Sequence, residues 1–289
     1  MMASRGRWLL VGVCTAAFGG GALFPVAASA TSSPSQQAGG VAAPTEQPSA
    51  QGSPAKPNST TPPPQPAETP SVPAPTAAVQ LSNERTVTTW AHSESPGRIF
   101  ALPQAHAPRV AKVRLVNADG FPEVYMLLGS YTDAEGREWV RVRIPGRPNG
   151  RTGWMLRELL GSFHRTYWRI VVNRSEHRMR VYFSGRLLRV FPVGVGKPST
   201  PTPTGHFWID ERFKLSSPSN PYWPYALGTS DYSTLPNWAG EGVVGIHGPF
   251  GEPQRIPGDP SHGCIRMLVP DIAWLGPRVT LGTPVDVVS

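Results

Sequence analysis

The residues best suited to chemistry lie close together. Ile246-His247-Gly248-Pro249 is followed, after a loop, by Pro260-Ser261-His262-Gly263-Cys264-Ile265-Arg266-Met267. A cysteine attacks a carbonyl as its thiolate, and a free thiol with a pKa of about 8.5 is mostly protonated at neutral pH. A base within hydrogen-bond reach removes that obstacle. Two histidines, His247 and His262, stand near Cys264 in sequence. His247 ends an apolar run that reads as a strand, a rigid place from which to aim an imidazole. Gly248 lets the chain turn, and its carbonyl is suited to orienting the other ring nitrogen. Gly263 permits close approach of backbone to substrate, and the amides around Cys264 suit an oxyanion hole. Two other readings use the same residues. One is a turn with a hydrogen-bonded histidine beside a packed cysteine. The other is a zinc site made from His247, His262, Cys264 and Asp259, although the chain has neither HExxH nor CxxC spacing.

Several elements must hold these groups. Of 289 residues, 34 are Pro and 30 are Gly, and 16% are charged. So many breakers exclude a mainly helical chain and point to a mainly β one. Arg85 to Ala91 alternates weakly, Glu123 to Tyr131 is a strand candidate, and Trp139 to Ile144 alternates with period two. Asp133-Ala134-Glu135-Gly136 and Asn149-Gly150 read as turns. Residues 80–162 thus form a small β module, in which His92, His106 and His164 read as structural. Further on, Arg169–Val172, Arg178–Phe183, Leu187–Val195, Gly205–Asp210, Val243–His247 and Val285–Val288 read as strands. Ser184-Gly185 is a hairpin turn, and Pro270–Leu275 before Gly276 is a short helix. The stretch from Phe213 to Gly242, rich in Ser, Pro, Asn, Tyr, Trp and Gly, reads as a long lid or substrate-binding loop.

The ends of the chain bear on location. Arg5 and Arg7 precede an apolar stretch from Trp8 to Phe24, and Ala28-Ser29-Ala30 offers a cleavage site, so residues 1–30 read as a signal peptide or, uncleaved, an N-terminal anchor. Residues 31–79 are Pro, Ser, Thr and Ala rich and read as a disordered linker. The protein is thereby expected outside the cytoplasm, touching membrane only through its N-terminal segment. Cysteines are Cys14 and Cys264. Loss of the leader leaves one thiol in an oxidising place, which suggests a chemical use for it. The net charge of +8 is scattered, and no basic helix, zinc finger or stacking-aromatic motif points to nucleic acid.

The His247-Gly248 pair, the spacer and Ser261-His262-Gly263-Cys264, followed by Ile265 and Arg266, resemble the catalytic signature of the YkuD-type L,D-transpeptidases. Thirteen residues lie between His247 and Ser261. Val195-Gly196-Lys197-Pro198 and Thr200–Gly205 are similar to the family's glycine- and threonine-rich segment. The resemblance covers residues 165–289, and residues 80–162 resemble the SH3-like modules that accompany such enzymes. It implies a β-rich domain in which Cys264 is the nucleophile and His247 the acid and base, oriented by the Gly248 carbonyl. His262 would shape the site, Gly263 and Cys264 would supply oxyanion amides, and Ser261 and Arg266 would meet substrate. Arg266 stands where many members have Asn. The implied substrates are peptidoglycan stem peptides, cross-linked 3→3 by a monomeric enzyme with no metal or organic cofactor. Carbapenem-type β-lactams would acylate the cysteine. Hydrolysis by an L,D-carboxypeptidase and a non-catalytic wall-binding protein are the alternatives.

Overall fold

A computed structural model of the chain describes residues 78–235 and 242–289. The expected leader, nearly all of the linker and the tip of the expected long loop lie outside the described residues. The fold is mainly β, with one short α-helix, Val269–Leu275, among the described residues.

The first sheet has eight strands. Its order is Arg109–Lys112, Arg98–Phe100, Thr152–Leu156, Glu138–Arg143, Val124–Thr132, Thr88–His92 and His164–Thr166, and Val79–Gln80 also pairs with Val124–Thr132. Trp139, Val140 and Val142 are buried while Glu138 and Arg141 are exposed. The turn before them is held by Asp133, whose Oδ1 accepts from the amides of Glu135 (3.1 Å) and Arg137 (2.8 Å).

The second sheet has ten strands, and its topology builds the site. Its order is Arg186–Pro192, Arg178–Phe183, Trp168–Asn173, Pro284–Val288, Gly205–Lys214, Tyr225–Tyr232, Val243–His247, Ile265–Arg266, Gly194–Gly196 and Gly258–Ser261. Ser184 (φ 48°) and Gly185 (φ 79°) join Arg178–Phe183 to Arg186–Pro192, the two positive φ values that a two-residue hairpin turn needs. The core beneath includes Ile170, Met179, Ile209, Leu227, Ile246, Ile265 and Met267, all at most 1% exposed.

One expectation is overturned. Part of the stretch from Phe213 to Gly242 is strand rather than loop, because Tyr225–Tyr232 pairs antiparallel with both Gly205–Lys214 and Val243–His247. Its Ser, Thr and Asp side chains are buried against partners, which composition alone does not reveal. The segment 215–224 remains a connection, and it packs on His247.

Candidate active site

The Val243–His247 strand runs parallel to Ile265–Arg266, with Ile246 opposite Ile265 and His247 opposite Arg266. His247 and Arg266, opposite each other in register, share one face of the sheet, and Cys264 stands just before this segment. The Met267 amide donates to the His247 carbonyl at 2.9 Å and locks this register. Cys264 is partly exposed.

His247 is 3% exposed, and its Nδ1 lies 2.8 Å from the Gly248 carbonyl oxygen. A carbonyl only accepts, so Nδ1 carries the hydrogen and Nε2 is the proton acceptor. Burial pushes the imidazole down to about 3. The Gly248 contact opposes that shift, and the nearby Arg266 charge adds to it. The resting ring is therefore neutral. The Tyr222 ring meets it edge-on at 4.6 Å. Gly248 matters here for space, because a Cβ on it would lie 1.9 Å from the Trp223 carbonyl oxygen. Only glycine lets the 221–224 segment close over the histidine.

The cysteine loop is tied down from several directions. Ser261 Oγ accepts from the Gly263 amide at 3.1 Å and donates to the Cys264 carbonyl at 2.6 Å. Thr202 Oγ1 donates to the Gly263 carbonyl at 2.7 Å and accepts from the Gly196 amide at 2.9 Å. Gly263 itself has φ 133°, a conformation that side chains rarely adopt.

Two residue roles implied by the resemblance change, those of Gly263 and Ser261. The Gly263 N–H is spent on Ser261, so an oxyanion role does not fall to it in this arrangement. Ser261 is 1% exposed and clamps the loop, which removes it from substrate contact. Arg266 is 7% exposed and already paired with Glu252 at 2.5 Å, with its guanidinium 4.8 Å from the Phe250 ring centre. Its Nε is buried and has no hydrogen-bond partner among the described residues, so the guanidinium keeps donor capacity beyond Glu252. His262 is exposed, and its Nε2 accepts from the Lys197 ammonium at 2.9 Å. Desolvation, then the charges of Lys197 and Arg266, hold its pKa down. Asp259, the fourth ligand of the zinc reading, is engaged by His177 at 2.8 Å.

Sequence reasoning missed the support from afar. Tyr222, Phe250, Glu252 and Thr202 carried no motif of their own, although Thr202 lies in the noted threonine-rich segment. The first sheet contributes as well. Arg147 donates to the Ser233 carbonyl at 3.0 Å and lies 4.9 Å from the Tyr232 ring centre. A Cβ on Gly263 would sit 3.4 Å from the Ser233 Cβ. A loop of the first sheet thus braces the strand end behind the cysteine loop.

Residues 167–287 match the family described as YkuD, the L,D-transpeptidase catalytic domain. L,D-transpeptidase 1 of Mycobacterium tuberculosis is 33% identical over 129 residues, 41% of this chain and 49% of that protein. The chain therefore spans about half the length of that relative. The catalytic domain of the E. faecium L,D-transpeptidase is 28% identical over 42% of this chain and 95% of its own, with a TM-score of 0.31. A crystal structure of an L,D-transpeptidase from Mycobacterium tuberculosis H37Rv is 17% identical over 72% of this chain and 100% of its own, with a TM-score of 0.39. The chain carries a domain similar to the catalytic domain of L,D-transpeptidases.

Proposed function

We propose that this protein is an exported peptidoglycan L,D-transpeptidase, with Cys264 as nucleophile and His247 as acid and base. The thiol attacks the amide carbonyl of the third residue, a diamino acid, in a tetrapeptide stem, and its proton passes to His247 Nε2. Because burial keeps the resting ring neutral, proton transfer accompanies attack rather than preceding it. The imidazolium then protonates the leaving D-alanine amine, and a thioester remains on Cys264. The side-chain amine of a second stem attacks that thioester and gives its proton to Nε2. A 3→3 cross-link forms and the thiol is regenerated.

The observation that carries this reading is the Nδ1 contact of His247 with the Gly248 carbonyl. It fixes the tautomer with its acceptor nitrogen away from the backbone, on the strand beside the one that Cys264 enters. In this reading residues 1–30 direct export, residues 31–79 space the folded part from the membrane, and residues 80–162 serve as an SH3-like accompanying module. Intact-protein mass spectrometry after exposure to a carbapenem tests the nucleophile. One adduct on Cys264 is expected, and absence of any adduct sinks the assignment. Purified muropeptides separate the chemistry: dimers support transfer, whereas trimmed stems alone make the protein an L,D-carboxypeptidase.

A further inference from the structure

A cavity of about 460 Å³ lies elsewhere, between the two sheets, and shares none of the site residues above. Trp90, Phe121, Phe213 and Leu281 line its sides, and Asp210 and Glu211 line it with them. Two adjacent residues of a regular strand point to opposite faces. Here the pairing slips between Ile209 and Glu211, so Asp210 is the extra residue of a β-bulge. Bulges re-aim side chains in this way. Both carboxyls come to lie over Gly228, where a Cβ would stand 2.9 Å from Glu211 Cβ and 3.2 Å from Asp210 Oδ1.

The protein does not fully satisfy the Asp210 carboxyl. Asp210 is 7% exposed, and its Oδ1 has no hydrogen-bond partner. Glu211 accepts from Asn117 Nδ2 at 2.5 Å and shares a hydrogen bond with the Asp119 carboxyl. Glu123 adds a further buried acid and takes Arg114 as its own partner at 3.1 Å. Arg212, also on the wall, directs its guanidinium to the carbonyls of Gly276, Pro277 and Val279 instead. Buried carboxyls without a counter-charge are costly. Aromatic faces beside them favour a cation that is itself partly apolar. A bare divalent ion would make no use of those rings, and among the described residues no acidic group has the arrangement of a metal site.

We propose that the cavity between Trp90, Phe213 and the Asp210–Glu211 bulge is a binding site for an organic ammonium group. The ammonium pairs with the Asp210 and Glu211 carboxyls that line the cavity while its alkyl chain lies against the rings. Calorimetric titration of the full chain with 1,5-diaminopentane tests this, with N-acetylglucosamine and calcium chloride as alternative ligands. Saturable binding in the sub-millimolar range is expected for the diamine. Asp210→Asn, which keeps the shape, should weaken it at least about tenfold, as loss of a charge-assisted hydrogen bond does. Phe213→Leu, with the acids intact, should weaken it by a smaller factor. Circular dichroism confirms that each variant is folded. The proposal is overturned if the diamine does not bind, if folded Asp210→Asn binds it as well as the parent does, or if the sugar or calcium binds more tightly.

Discussion

His247 and Asp210 are both buried, and in both the loss of water penalises the charged form. The imidazole is driven down to about 3, and the carboxyl is driven well above its ordinary range. Their neighbourhoods differ. Around His247 a backbone carbonyl takes the ring hydrogen, and the cysteine loop is pinned by Ser261 and Thr202. Around Asp210 a second carboxyl lies close by and an oxygen goes unmatched. The same desolvation therefore makes a fixed neutral base in one place and an unfinished acidic nest in the other. Satisfaction by the backbone marks a site complete in itself, and its absence marks one that needs something added.

The largest way to break the comparison is Cys264→Ala. It should remove all covalent labelling by a carbapenem while the ammonium cavity still titrates, as read by mass spectrometry and calorimetry. His247→Ala should slow acylation by about 10²- to 10⁴-fold, the usual worth of a positioned acid–base group. Normal turnover would remove His247 from the role. A neutral resting base has its own signature: the rate of Cys264 alkylation by iodoacetamide should rise steeply as pH increases from about 6 to about 9, because the thiolate forms only as the medium takes its proton. A flat, fast profile would mean a resting ion pair instead.

Smaller effects sharpen the contrast between satisfied and unsatisfied burial. Thr202→Val strips a buried amide and a buried carbonyl of their partner, and should cost about 1–3 kcal/mol in a thermal or denaturant melt. Asp210→Asn should do the reverse and raise the melting temperature by about 2–4 °C above neutral pH, equivalent to about 1 kcal/mol. The sign follows from linkage. The folded pKa of Asp210 is raised, so the unfolded chain loses its proton first and stability falls as pH rises above about 3.9. The neutral amide escapes that loss, so the gain should shrink toward zero on acidification. An equal gain at acid pH would show that charge is not its cause.

Short-range pattern made much of the strand content legible. Arg178–Phe183 and Val243–His247 stand where alternation and apolar runs place them, and the Ser184-Gly185 turn has both φ values positive. The region after Phe213 was misread because Ser, Thr and Asp look like loop residues until partners bury them. Thr229 Oγ1, for example, donates to the Val244 carbonyl at 2.6 Å. In the candidate site the motif pointed to His247, Gly248 and Cys264 as neighbours, but not to Tyr222, which reaches the imidazole from 25 residues away, or to Glu252, which occupies Arg266. The Asp210–Glu211 pair had no signal at all, since nothing local announces a bulge opposite a glycine.

Sequence alone determined which thiol and which imidazole are candidates, and that the chain is built of strands, because side-chain chemistry and period-two alternation are local properties. Tertiary structure decided which ring nitrogen holds the proton, that the ring rests neutral, that Ser261 ties down the cysteine loop, and that two acids share one cavity. Each of these depends on which distant segment removes water or supplies a hydrogen-bond partner, and that is fixed only when the sheets close.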